Sequence, residues 1–121
     1  MVRWLLIAFL IAHGLVHVAL WAPQIDPTSA PFDPSHPWLL CDRRLVAQVL
    51  AFTAAALLVA AGIALWADAA WWQPIAVAGL GLSTVLLILY YNRWYLFILA
   101  INVALIVGIA WLGWPGGPTD A

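Results

Sequence analysis

The chain has 121 residues, of which 67% are hydrophobic and 7% charged, and its formal net charge is -1. A soluble domain is about half apolar and about a quarter charged, so this composition cannot form a water-facing surface and predicts an integral membrane protein. Four cationic residues against five anionic ones also exclude the basic field that nucleic-acid binding needs.

Four apolar stretches run in chain order over residues 3–22, 45–67, 75–91 and 94–114. Each is close to the roughly 20 residues that cross a hydrocarbon layer of about 30 Å. Lipid offers no partners to backbone amides, so the stretches must be helices. The sequence therefore predicts an all-α fold: a four-helix transmembrane bundle, forming one membrane domain over residues 1–121 of a multi-pass protein in the cell membrane.

The segments between the predicted helices differ in length. The first, residues 23–44, is long and carries a proline every three or four residues, which favours turns and extended pieces. The others are short and make helices 2, 3 and 4 antiparallel neighbours. Arg43, Arg44 and Arg93 lie on the face of the long loop and Arg3 on the opposite face, which predicts a cytoplasmic long loop, although so slight a bias also permits dual insertion.

Small residues recur at four-residue steps and predict close helix packing, since transmembrane helices associate where small side chains let backbones approach. These ridges are Ala8 and Ala12, then Ala47, Ala51 and Ala55, then Gly79 and Ser83, and finally Ala100, Ala104 and Gly108. The same ridges could instead pack against a second copy of the chain or a larger membrane complex.

Each predicted helix carries one polar residue at a similar depth. His13, Thr53, Ser83 and Asn102 lie eight or nine residues from the helix end on the long-loop face, or roughly 12 to 14 Å at 1.5 Å per residue. His17 lies nearer that face. Two interpretations stay open: the groups satisfy one another by hydrogen bonds, or they bind a ligand, proton or ion at a depth where polar groups are costly.

His13 and His17 are four residues apart and therefore share one face of helix 1. This spacing permits chelation of one metal ion, for which His36, Cys41 or a loop aspartate would have to supply further ligands. The two rings approach from the same side and so cannot be the opposite axial ligands of one haem, but a lone haem ligand stays possible. The sequence requires no cofactor.

The run from Ile7 to Val18, with His13-Gly14-Leu15-Val16-His17 inside it, resembles the opening helix of a group of small uncharacterised bacterial four-helix membrane proteins with a His-Gly-Leu-x-His motif. The run from Gly81 through Asn102 is similar to that group's third and fourth helices. The His-Gly pair and the overall layout are also faintly similar to the DoxX-like proteins. The resemblance implies a four-helix membrane fold and no particular substrate.

Three functions fit these observations. The first is non-enzymatic binding of a small neutral or lipophilic ligand by His13, His17, Thr53, Ser83 and Asn102, as a carrier or accessory subunit in contact with the lipid bilayer. The second is a metal- or haem-dependent redox protein, and the third a small dual-topology transporter. The last ranks lowest because no aspartate lies within a predicted span. No catalytic residue is expected, since no nucleophile has an evident base.

Overall fold

The computed structural model describes residues 1–21, 44–90, 93 and 95–116, with the Arg44 side chain outside that description. It contains α1 (Val2–Trp21), α2 (Arg44–Trp66), α3 (Trp72–Leu89) and α4 (Tyr95–Ala110). Each helix packs against the next in chain order, which confirms the all-α four-helix prediction. Most of the proline-rich loop, with His36 and Cys41, lies outside the described residues, as does the Asn92 turn.

Helix length separates α4 from the other helices. By length and composition, α1, α2 and α3 can each cross a membrane, whereas α4 has 16 residues and a length of about 24 Å. The helix ends four residues before the end of the predicted span over residues 94–114. The chain turns after Ala110: Gly113 has a φ of 70°, and the Trp114 amide donates to the Gly108 carbonyl at 3.0 Å. Hydropathy does not detect this turn, because its residues are as apolar as the helix.

The end of α2 is closed by a backbone motif and by an arginine from α1. Asp68 adopts a left-handed φ of 56°, and the Ala69 amide donates to the Ala64 carbonyl at 2.9 Å. This is the hydrogen bond of a Schellman C-cap. The Arg3 guanidinium donates to the Leu65 carbonyl at 2.6 Å and pairs with the Asp68 carboxylate at 2.6 Å. Arg3 thereby ties the first turn of α1 to the last turn of α2.

The predicted small-residue ridges of α2 and α3 are buried, as are Gly14 and Gly108. A Cβ atom on Gly14 would lie 2.9 Å from the Ala55 carbonyl oxygen, so α1 and α2 approach too closely there for any side chain. In contrast, Ala8, Ala12, Ala100 and Ala104 are exposed. The ridges of α1 and most of α4 therefore do not pack within the bundle, since both helices present those alanines outwards, and their packing against a second copy stays a prediction.

Two apolar clusters fill the interior. One lies toward the Arg3 face and includes Leu10 of α1, Leu58 of α2 and Leu80 of α3. The other lies toward the opposite face and includes Trp21 and Tyr95. Large side chains such as Leu15 and Phe97 stay exposed, as expected for helices in contact with lipid. The polar residues of three helices lie between the two clusters.

Candidate functional site

Four polar side chains are buried together at the middle of the bundle. His13 and His17 come from α1, Ser83 from α3 and Asn102 from α4, and their accessible fractions are 8%, 2%, 0% and 0%. We call these four residues the polar ring. Buried polar groups in an apolar medium need hydrogen-bond partners, and each member has them within the ring.

The hydrogen bonds of the polar ring form a closed circuit. His13 Nε2 lies 2.9 Å from Asn102 Oδ1, and Asn102 Nδ2 lies 2.9 Å from Ser83 Oγ. Ser83 Oγ lies 2.8 Å from His17 Nε2, and His17 Nδ1 lies 2.8 Å from the His13 carbonyl oxygen. The circuit therefore joins α1, α3 and α4 at one level.

One atom fixes the direction of the whole circuit when the imidazoles are neutral. The His13 carbonyl can only accept, so His17 Nδ1 carries the proton and His17 Nε2 accepts from the Ser83 hydroxyl. Ser83 Oγ then accepts from the Asn102 amide nitrogen, and the Asn102 oxygen accepts from His13 Nε2. His13 is thereby set as the tautomer whose Nδ1 bears a lone pair. No described residue donates a hydrogen bond to this Nδ1.

An aromatic column runs along α1 through the polar ring. The rings of Phe9 and His13 stack with centroids 5.3 Å apart, and those of His17 and Trp21 stack at 5.9 Å. His13 and His17 meet edge to face at 5.1 Å, and Trp21 continues to Tyr95 of α4 at 5.9 Å. Sequence reasoning missed Phe9, Trp21 and Tyr95. The signal was available for the first two, because residues 9, 13, 17 and 21 repeat at the four-residue helix spacing.

Of the four polar residues predicted at a similar depth, the structure brings together His13, Ser83 and Asn102, and His17 joins them. Thr53 is not among them: it is exposed, and its hydroxyl donates to the Val49 carbonyl at 2.7 Å. Residue counting gives depth but not direction around the helix axis. Thr53 is two residues from the buried Ala51, a rotation of about 200°, and so faces outwards.

Three further polar side chains donate hydrogen bonds to backbone carbonyls, two of them at the ends of neighbouring helices and one within its own helix. Gln48 donates to the Trp21 carbonyl at 3.3 Å, and Gln73 donates to the Ile109 carbonyl at 2.7 Å. The Thr84 hydroxyl donates to the Leu80 carbonyl at 2.8 Å. Sequence reasoning did not single out Gln73, whose partner is a backbone carbonyl that no residue pattern reveals.

An apolar groove lies between α1 and α4 next to the polar ring. Its volume is about 310 Å³, and it is lined by Val2, Leu5, Leu6, Phe9, Leu105 and Trp114. The helices adjoin only weakly there, since α4 packs mainly on α3. Phe9 links the groove to the polar ring through its stack on His13.

Metal chelation by His13 and His17 would require the polar ring to open. Both nitrogens of His17 and the Nε2 of His13 already hold hydrogen bonds, which leaves one free lone pair for the pair of residues. Among the residues that the structure describes, no group of three or more His, Cys, Asp and Glu side chains could hold a metal ion. His36 and Cys41 lie outside those residues.

The contact between Ser83 and His17 is a nucleophile and base pair that sequence reasoning did not find. Its geometry matches hydroxyl activation, and the His13 carbonyl holds the imidazole in the required tautomer. However, the Ser83 side chain is 0% exposed and its oxygen also accepts from Asn102. A substrate could reach this hydroxyl only if the helices separated.

No family model, curated protein or solved structure matches this chain. The findings establish a four-helix protein with three apolar helices of membrane length and a buried polar ring of histidine, serine and asparagine. The resemblance to the small proteins with a His-Gly-Leu-x-His motif stays a prediction.

Proposed function

We propose that this protein binds a small lipophilic ligand in the groove between α1 and α4, as a membrane carrier or accessory subunit rather than as an enzyme. The observation that carries the proposal is the position of the groove. It is an apolar recess that ends at Phe9, whose ring stacks on His13. The proposed binding surface lies beside the polar ring, whereas the sequence suggested binding among the ring residues themselves. We favour the groove because most polar atoms of the ring already hold hydrogen bonds with one another.

The dimensions of the groove suit an apolar chain. Its volume of about 310 Å³ lies at the lower end of ligand pockets, which range over roughly 300–1,000 Å³. From Val2 to Phe9 the lining follows α1 for about 10 Å along the helix axis, at 1.5 Å per residue. Because all six lining residues are apolar, a hydrocarbon chain gives up no polar interaction on entering from the lipid phase, and its packing contacts can offset the entropy lost on binding.

Photolabelling tests the proposal. A hexadecyl chain carrying a diazirine is added in trace amounts to the protein in phosphatidylcholine nanodiscs, and its attachment sites are mapped by mass spectrometry. We expect saturable labelling of the peptide that contains Val2 to Phe9 and of the peptide that contains Leu105. The variant Leu105→Phe, which fills the groove, should lose that labelling.

The matched control is Leu15→Phe, which adds the same volume on an exposed face of α1 outside the groove. It should leave the labelling unchanged. Labelling spread evenly over exposed residues such as Leu15 and Phe97, without saturation, would show that the groove is ordinary lipid-facing surface and would overturn the proposal.

A further inference from the structure

The polar ring leaves one basic atom with no described partner. The His13 carbonyl fixes the position of every hydrogen-bonding proton in the polar ring. The Nδ1 lone pair of His13 is then the single unused acceptor on the two imidazoles. His17 differs, because both of its nitrogens are engaged. An unpaired acceptor in a lipid-filled region is costly, and a donor that reaches it gains a hydrogen bond without competition from water.

His13 is also the ring member that a ligand can reach. It keeps 8% of its surface accessible, whereas His17 keeps 2% and the other two members none. Phe9, one turn before His13, lines the groove and stacks on the imidazole. Leu105, three residues after Asn102, lines the groove from α4. The groove therefore ends at Phe9 and Leu105, which lie next to the hydrogen-bonded pair of His13 and Asn102 along α1 and α4.

We infer that the groove selects a lipophile headed by a hydroxyl group, which donates its hydrogen bond to Nδ1 of His13 while its hydrocarbon part lies along α1. This inference rests on the proposed function, since it names the class of ligand that the groove takes. The chemistry is complementary: the groove itself is apolar, and the histidine on which its end residue Phe9 stacks has one unused acceptor and no spare donor, which fits an alcohol or a phenol. An ether, ketone or ester has no hydrogen to donate and would place its own acceptor oxygen against the Nδ1 lone pair of His13.

A matched pair of chains tests this selectivity. Hexadecanol and methyl hexadecyl ether share their hydrocarbon chain, but only the alcohol donates a hydrogen bond. Each is titrated into the protein in nanodiscs, with histidine labelled by ¹⁵N and the His13 signals assigned by comparison with the His17→Gln and His36→Gln variants. Before addition, we expect the Nδ1 resonance of His13 to be that of an unprotonated nitrogen.

Hexadecanol should shift the Nδ1 resonance of His13 toward the hydrogen-bonded range and leave His17 unchanged, and the ether should not. The alcohol should also bind about five- to tenfold more tightly, as expected for one added hydrogen bond between neutral groups. A protonated Nδ1 before addition, or equal shifts and affinities for the two chains, would overturn the inference.

Failure of the inference and failure of the proposed function can be told apart with diazirine analogues of the same two chains. If both analogues label the groove peptides saturably but neither moves the His13 resonance, the groove binds lipophiles without selecting a hydroxyl. If neither analogue labels the groove, the proposed function itself falls.

Discussion

The amide of Asn102 is the ring member that joins two different helices to its own. Asn102→Ala would leave the His13 N–H and the Ser83 oxygen without their amide partner, at positions where water cannot replace it. We expect a loss of about 1–3 kcal/mol in the free energy of unfolding, measured by titration with sodium dodecyl sulfate in mixed micelles.

Thr53→Ala is the matched control for that change. Thr53 was predicted at the same depth, but its hydroxyl bonds only within its own helix and is exposed. Its removal should change the free energy of unfolding by no more than about 0.5 kcal/mol. Equal losses for the two variants would show that the ring contributes no more than an isolated hydroxyl.

The comparison of Thr53 with Ser83 shows how far residue patterns reach. Counting along each span placed both at one depth, and Ser83 does meet Asn102 there. Thr53 points outwards because depth depends on the position along the helix, whereas contact depends on the rotation of α2, which packing at Gly14 and Ala55 determines. Hydrogen-bond direction was likewise hidden, since it follows from atoms of three helices.

At the scale of the helices, Gly14 tests how closely α1 and α2 must approach. Gly14→Ala would place a Cβ atom 2.9 Å from the Ala55 carbonyl oxygen and 3.2 Å from the Leu58 Cβ, so the helices must move apart. We expect a destabilisation of about 1–3 kcal/mol by the same unfolding measurement.

Gly81→Ala provides the control, because no atom lies within 4 Å of the added Cβ. Alanine favours a helix over glycine by up to about 1 kcal/mol, so this variant should be neutral or more stable. If Gly81→Ala destabilised as much as Gly14→Ala, the cause would be glycine replacement in general and not the α1–α2 contact.

Asp68, in the turn after α2, has a left-handed backbone conformation and forms an ion pair with Arg3. Two substitutions measure the contributions of these features to stability separately. Asp68→Asn keeps a side chain that tolerates a left-handed φ but removes the charge that pairs with Arg3. The exposed pair should contribute less than about 1 kcal/mol and weaken at high salt. Asp68→Val should cost about 1–2 kcal/mol more than Asp68→Asn, because a β-branched residue is strained there.

Thermal unfolding of both variants in detergent at low and high salt checks this division. If Asp68→Val and Asp68→Asn unfolded at the same temperature, the left-handed conformation of residue 68 would not affect the stability of the protein. Sequence alone identified Asp68 as a loop residue. Neither its φ nor its contact with Arg3, 65 positions away in the chain, leaves a local pattern, whereas the helix itself follows from its apolar length.

At the scale of the whole molecule, the polar ring should couple helices that are distant in sequence. Ser83→Ala and Asn102→Ala each break the circuit, so the second change should cost less once the first is made. We expect an interaction energy of at least about 0.5 kcal/mol in a double-mutant cycle. Pairing Asn102→Ala with Thr84→Ala, whose contact is longer at 3.4 Å, should give a smaller value. Strict additivity for both pairs would contradict a cooperative ring.

The fold class was predictable because the bilayer admits few solutions for so apolar a chain. The groove was not predictable, since it arises where α4 ends early and Trp114 turns back over Gly108. The two residues are so close that a Cβ atom added to Gly108 would lie only 2.6 Å from the indole Cε3. Orientation and oligomeric state stay predictions. Arg43 and the Arg44 side chain, on which the orientation depends, lie outside the described residues.

The ring has a consequence for how the protein assembles after synthesis. The chain emerges from its first residue onward, so α1, α2 and α3 reach the bilayer before α4 does. Until Asn102 arrives, the imidazole N–H of His13 and the oxygen of Ser83 lack the partner that completes them. Docking of the last helix therefore completes hydrogen bonds that the first three helices leave open, and a chain that ended before α4 would keep those buried groups without their amide partner.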